Sequence, residues 1–295
     1  MTKLSPLVAR LLMLVAPALF AANMLVARAT AGIIPPVALA FWRWAATFLL
    51  LVVLFGRPIW RQRHLLRREW LELLLLGSLG MGVCGAFVYI AAATTTATNI
   101  GILYAASPVL IILLGRLLYD EALAGRQLLG VALCLVGVLV IIARADLAVL
   151  YGLRFTAGDL WVVAAVVAWA VYSVRLRHRP SALGLNERFA GIVLGGLTAL
   201  LPFAIGEALL DRPPALTPET IAWVGFLAVV ASFGAYQVYG MILQALGAAE
   251  ASLLFYLTPV YNALLAWLLL GERLAPYHLA GAALVLPGLY LASRR

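Results

Sequence analysis

The sequence predicts an all-α integral membrane protein, with ten transmembrane helices arranged as two inverted five-helix repeats. Three observations predict it. Of 295 residues, 65% are hydrophobic and 11% charged, too little polar surface to coat a soluble globule of this size. The apolar residues fall into runs of about 20, the length that crosses a bilayer. One stretch also occurs twice: Ser107-Pro108 lies in an apolar run closing at Asp120-Glu121, and Thr258-Pro259 lies in another closing at Gly271-Glu272. An offset of 151 carries Pro108 to Pro259, Glu121 to Glu272, Gly130 to Gly281 and Gly137 to Gly288.

In chain order the expected spans are 8–27, 37–56, 71–92, 97–119, 126–143, 158–175, 187–207, 219–241, 248–270 and 276–292. The first follows Lys3 and Arg10 and precedes Ala27-Arg28-Ala29, which imitates a secretory leader and its cleavage site. Its run from Leu7 to Ala27 exceeds the roughly 7 to 15 apolar residues of a leader core, and the repeat requires it as a helix. Pro35-Pro36 opens the second span, Thr94-Thr95-Thr96 separates the third from the fourth, and Leu246-Gly247 separates the eighth from the ninth. Such connections leave no soluble domain. Residues 1–150 and 151–295 then form the two halves. Five spans is an odd number, so the second half enters the membrane from the opposite side. That architecture places a substrate site near the midplane between the halves.

The net charge of +9 reads as topology and not as a nucleic-acid surface, because the arginines sit between apolar runs. Arg57, Arg61, Arg63, Arg67 and Arg68 follow span 2, Arg175, Arg177 and Arg179 follow span 6, and Arg294 and Arg295 end the chain. The opposite loops carry fewer, with Arg28, Arg144, Arg154, Arg212 and Arg273, and Glu207, Asp211 and Glu219 lie around the connection after span 7. Both termini are expected in the cytoplasm of a bacterium, with the chain in its inner membrane. Cys84 and Cys134 lie within apolar spans and fit neither a disulfide framework nor a metal site.

Comparing the halves shows which faces look inward. Phe20 and Asn23 in span 1 become Trp169 and Tyr172 in span 6, 149 positions on. Ser78, Gly82, Gly85 and Tyr89 in span 3 become Ala228, Ser232, Ala235 and Tyr239 in span 8. Gly101, Tyr104, Pro108, Ile111 and Gly115 in span 4 become Ser252, Phe255, Pro259, Asn262 and Ala266 in span 9. Small residues on such faces serve close helix packing. Asn23, Gln237 and Gln244 should face the interior, bridging helices or touching a substrate, because an amide facing lipid is costly. Pro108 and Pro259 withhold an N–H from the carbonyls of Tyr104 and Phe255, either as plain packing kinks or as hinges. Pro17 is a third candidate for bending. The expected substrate-binding residues are Asn23, Tyr89, Tyr104, Trp169, Tyr172, Tyr236, Gln237, Tyr239 and Phe255, a set suited to a neutral or zwitterionic solute with an apolar or aromatic side chain.

The paired Ser-Pro and Thr-Pro motifs, the helix ends at Glu121 and Glu272 and the Gly-rich spans after them resemble the EamA family of the drug/metabolite transporter superfamily. The likeness covers roughly residues 7 to 292 and is strongest to the bacterial aromatic amino-acid exporters of that family. It implies ten helices in two inverted repeats and a central cavity lined by spans 1 to 4 and 6 to 9, with spans 5 and 10 outside. It also implies export of amino acids or related metabolites. The related small multidrug-resistance proteins rely on a glutamate in their first helix, where this chain offers only Asn23 as a polar group. A proton-coupled multidrug exporter is therefore the weaker alternative, and facilitated flux or exchange is expected.

Enzyme chemistry would need a nucleophile with its base, paired carboxylates or a metal cluster. His64 and His178 lie in Arg-rich loops and His278 opens span 10, so neither catalysis, a metal nor a cofactor is expected. Glu121 and Glu272 read as solvated or capping carboxylates that pair with Arg126 or Arg273, and Glu250 and Arg116 as the nearest approach to a buried charge. A passive channel is disfavoured by the aromatic filling. A membrane-assembly role is kept open by Gly191-x-x-x-Gly195, with a monomer or weak homodimer expected. The expected partners are amino-acid substrates and the lipid bilayer.

Overall fold

Each apolar run becomes helix, and its ends fall where the chain supplies a cap or a break. The computed structural model describes residues 4–30, 32–95, 97–122, 124–154, 156–210, 217–270 and 275–293. The expectations at Lys3, Thr96, Asp211, Arg212, Gly271, Glu272, Arg273, Arg294 and Arg295 lie outside the described residues, as do those for the side chains of Arg28 and Ala266. The long elements are α1 (Pro6–Ala29), α2 (Pro36–Arg61), α3 (Trp70–Ala92), α4 (Ala97–Ala105 and Ser107–Tyr119), α5 (Gly125–Ile142), α6 (Ala157–His178), α7 (Leu185–Leu210), α8 (Pro218–Leu246), α9 (Ala248–Ser252, Leu253–Leu257 and Thr258–Leu270) and α10 (Pro276–Ala292). Among the described residues, α1 to α8 are long and apolar enough to cross a membrane. The 17-residue α10 is a shorter apolar helix, and α9 is divided into three segments.

Helix starts follow capping chemistry. The Ser5 hydroxyl accepts from the Val8 N–H at 3.3 Å, with Pro6 in the first turn, where a missing N–H costs nothing. Thr156 and Asp159 form a capping box for α6, and the Thr217 hydroxyl accepts from Thr220 at 3.1 Å to open α8. Helix α2 has no side-chain cap of its own. Glu207, expected in a loop, lies within α7 and accepts from Val37 and Ala38 at 3.0 and 2.6 Å. A carboxylate there complements the positive end of the helix dipole. Gly247 closes α8 at φ 91°, a conformation strained for any residue with a Cβ.

At Pro108 and Pro259 the helix is irregular in the turn that precedes each proline. Helix α4 pauses at Ala106 and restarts with Ser107-Pro108 in its first turn, and α9 tightens into a 3-10 turn over Leu253–Leu257 before Thr258-Pro259. Each proline lacks the N–H that the carbonyl four residues earlier, on Tyr104 or Phe255, would accept, while the first helical turn accepts proline readily, so the helix loses its regular α pattern in the turn before it. Pro17 does lie inside α1, as Pro58, Pro202 and Pro287 lie inside α2, α7 and α10. Pro58 leaves Phe55 at φ −128°, ψ 17°. Two π-helical turns, Ser78–Val83 in α3 and Leu227–Gly234 in α8, fall at matching places in the two sequence repeats.

Packing follows the same pairing. Helix α3 lies on α6 as α8 lies on α1, α4 lies on α6 as α9 lies on α1, and α2 meets α7 directly. Helix α5 packs on α10 through glycines the sequence had already paired. A Cβ on Gly137 would stand 2.7 Å from the Gly281 carbonyl oxygen, and one on Gly130 would stand 2.5 Å from that of Gly288. Such backbone contact is how helices associate where lipid leaves no hydrophobic drive. Gly191-x-x-x-Gly195 faces inward: a Cβ on Gly195 would meet the Leu73 carbonyl at 2.6 Å, and one on Gly191 the Leu73 side chain at 2.7 Å. That motif joins α7 to α3 and offers no surface to a second copy.

Candidate functional site: an aromatic cluster beside a buried arginine

Trp169 on α6 stands where α1, α8 and α9 converge. Its ring lies 5.1 to 5.5 Å from those of Tyr172, Tyr236, Tyr239 and Phe255, and 6.2 Å from Phe20. Phe20 in turn lies 5.2 Å from Phe255. Edge-to-face and tilted pairs like these contribute about 0.5–1.5 kcal/mol each beyond area burial. The hydroxyls are bonded outward from the rings. Tyr239 donates to Ser173 at 2.8 Å, and Tyr236 donates to the Gly80 carbonyl in the π turn of α3 at 3.1 Å. Both helical repeats therefore supply rings or ring partners to one cluster.

The other expected site residues lie elsewhere. Asn23 and Tyr89 are joined to each other, with the Tyr89 hydroxyl donating to Asn23 Oδ1 at 2.6 Å. Gln237 donates to Asn186 on α7 at 2.8 Å, a helix bridge. Tyr104 packs with Leu103 and Leu110 against Ala91, Ile100, Val162 and Val166, where α4 meets α6 N-terminal to Trp169, and it lies within electrostatic range of Tyr89, Arg43 and Tyr236. Glu121 pairs with His178 at 3.1 Å and not with Arg126, and the His178 ring stacks on Tyr119 at 3.8 Å.

The residue missing from the sequence reading is Arg43. It lies on α2 and is 3% exposed. Its Nη1 donates to Asn23 Oδ1 at 2.7 Å and to the Tyr89 hydroxyl oxygen at 2.9 Å. Its guanidinium carbon sits 4.7 Å from the Trp44 ring centre and 5.4 Å from that of Tyr89. Trp44 stands edge-on to Tyr236 at 4.9 Å, which connects the arginine to the Trp169 cluster. Both expected buried charges differ from this. Arg116 is exposed, and Glu250, though buried, pairs with Arg10 at 2.8 Å. Arg43 lies in the first third of the 26-residue α2, and an ionisable side chain inside a membrane-spanning helix marks a functional position by default. The signal was present in Trp42-Arg43-Trp44, an arginine inside an apolar run.

Three buried N–H groups near these rings have no acceptor: Arg43 Nε, Trp44 Nε1 and Trp169 Nε1. A crevice of about 20 Å³ touches Tyr172 and Tyr236 and runs between α6, α7 and α8 past Gln237, Arg188 and Gln244, with room for about one water. A larger groove, about 380 Å³, lies away from the cluster between Phe48, Arg63, Arg67, Trp70 and Gly191. Among the described residues no group of three His, Cys, Asp or Glu side chains could hold a metal.

A polytopic helical bundle with a buried aromatic core and an intramembrane cation is the architecture of a membrane transporter. A model of the EamA-like transporter family matches the chain twice, over residues 7–143 and 156–294. The chain belongs to that family; it is a multi-pass membrane transporter built of two EamA repeats, and not an enzyme. It is 30% identical to an uncharacterized transporter of Archaeoglobus fulgidus over 88% of each chain. It is also 31% identical to a probable amino-acid metabolite efflux pump of Salmonella typhimurium, over 60% of this chain and 61% of the relative. A solved crystal structure superposes with TM-score 0.76 at 20% identity over 95% of each chain, a likeness of fold.

Proposed function

We propose that the chain exports amino acids, chiefly aromatic and other large neutral ones, or related metabolites, across a bacterial inner membrane by alternating access. Residues 1–150 and 151–295 act as two inverted five-helix halves, with both termini in the cytoplasm. The observation that carries this reading is the aromatic cluster where four helices meet, in which Trp169, Tyr172, Tyr236 and Tyr239 are buried and Phe20 and Phe255 half-buried. Rings that pack on one another can exchange those contacts for the side chain of an aromatic solute at little net cost. The naming of the Salmonella typhimurium relative as a probable amino-acid metabolite efflux pump agrees in substrate class.

Polar contacts support the ten-span arrangement by sorting helix ends into two sets. One set is tied by Arg10 with Glu250 and the Ser293 carbonyl, Arg175 with Glu72, Arg177 with the Gln244 carbonyl, and Ser181 with Glu69. The other is tied by Glu207 with the start of α2, and by Asp159 with Thr95 and Asn99. The first set is the arginine-rich one, which the distribution of basic residues assigns to the cytoplasm.

The test is efflux from liposomes loaded with labelled amino acids, nucleobases, sugars and cationic dyes. Saturable flux of phenylalanine, tryptophan or methionine is expected. Trp169→Ala should lower it by about tenfold or more, since losing two or three ring pairs of about 0.5–1.5 kcal/mol exceeds the 1.4 kcal/mol of one decade. Rapid dye efflux without flux of any zwitterion would overturn the reading.

A further inference from the structure

We infer that Arg43, with the indole N–H of Trp44, is the anchor for a carboxylate group on the transported solute. An arginine stays charged in a protein, yet every partner of Arg43 is neutral. Nη1 meets an amide oxygen and a phenol oxygen, and the guanidinium faces two aromatic rings. The ion pairs among the described residues, Arg10 with Glu250 and Arg175 with Glu72, and the contact of His178 with Glu121, leave it out. Arg43 Nε and Trp44 Nε1 are buried donors without acceptors. An enclosed donor normally has a partner, and a planar guanidinium matches a carboxylate in two-point geometry.

The two side chains also close tightly on the backbone of α3. A Cβ on Gly85 of α3 would sit 3.0 Å from Trp44 Nε1 and 3.4 Å from Arg43 Nη2. These donors lie next to the aromatic cluster through the Trp44–Tyr236 contact, so a carboxylate admitted to them as α2 and α3 part would leave an attached aromatic side chain among the rings around Trp169. Arg43 acts in this way only if the cluster is the solute site, so the assignment rests on the export reading. Asn23 and Tyr89 become positioning residues that hold Nη1 and leave the rest of the guanidinium free.

The alternative is an arginine that only ties α1, α2 and α3 together. The two roles differ in what they discriminate. Full-length protein in nanodiscs is titrated with 3-phenylpropionate and with 3-phenylpropanamide, equal in shape and different in charge, and binding is followed by tryptophan fluorescence. The acid should bind about tenfold or more tightly than the amide, a difference of about 1.4 kcal/mol. Arg43→Gln should remove the preference, Arg43→Lys should restore part of it, and Gly85→Ala, which keeps the arginine but sets a Cβ 3.0 Å from Trp44 Nε1 and 3.4 Å from Arg43 Nη2, should weaken the acid selectively. If Arg43→Gln does not fold, the wild-type contrast and Gly85→Ala decide. Equal affinity for acid and amide, no binding of either, or a preference that survives Arg43→Gln would overturn the anchor. Phenylalanine efflux with equal affinities would overturn the anchor and leave export standing, whereas acid preference without efflux of any amino acid would overturn amino-acid export, and with it the anchor's role in transport, and leave only a carboxylate-binding site.

Discussion

At the scale of single residues, the cluster was legible and its charged neighbour was not. Trp169, Tyr172, Tyr239 and Phe255 announced themselves because the repeat allowed one half to be read against the other, and Tyr236 as an aromatic inside the eighth span. Arg43 has no charged counterpart in the second half, and one cation among some twenty apolar residues hardly alters a hydropathy average. Buried donors without acceptors, such as those of Arg43 and Trp44, are properties of three-dimensional packing. The three-way contact of Arg43, Asn23 and Tyr89 can be tested by Tyr89→Phe, which keeps the ring and removes the hydroxyl. Hydrogen bonds to charged groups are worth about 1.5–3 kcal/mol in soluble proteins and less between membrane helices. The expected loss is therefore about 1–2 kcal/mol, seen as a lower midpoint of thermal unfolding in detergent. An unchanged midpoint would mean that the hydroxyl does not support the arginine.

At the scale of elements, apolar length located the helices, while their irregularities escaped it. The breaks in α4 and α9 precede their prolines, and the π turns in α3 and α8 carry no residue signature beyond small side chains. The Gly80 carbonyl inside one of them accepts from the hydroxyl of Tyr236 on another helix, information no local window contains. The pairing of α5 with α10 was different, because Gly130, Gly137, Gly281 and Gly288 were matched in sequence before they were found in contact. Gly137→Ala should expose how tightly that seam is set. Its Cβ would stand 2.7 Å from the Gly281 carbonyl oxygen and 2.8 Å from Val285, and backbone cannot move aside as a side-chain tip can. Overpacking of this kind costs about 1–3 kcal/mol. A lowered thermal midpoint with flux retained in the folded fraction is expected, because the seam lies away from the aromatic cluster. Equal loss of flux and stability would make α5 and α10 part of the moving machinery.

At the scale of the whole molecule, the matched contacts of α6 with α3 and α4, and of α1 with α8 and α9, define two bundles that meet at the Trp169 cluster. Alternating access requires these bundles to rock against each other. A fixed pathway does not. At the arginine-rich end one direct tie between them runs from Arg177 on α6 to the Gln244 carbonyl on α8, at 2.8 Å, beside the narrow crevice that leads to Tyr172 and Tyr236. In a background with Cys84 and Cys134 replaced by alanine, Arg177→Cys and Gln244→Cys place two thiols across that junction. A cleavable bifunctional maleimide should hold the end shut and stop efflux of phenylalanine, and cleavage of the linker should restore it. A monofunctional maleimide of similar bulk should leave most of the flux intact, because it adds volume without joining the bundles. Cross-linked protein that still transports at the original rate would show that this end need not open. The solute would then have to move through a fixed path, and the pairing of two half-structures would be explained by duplication alone.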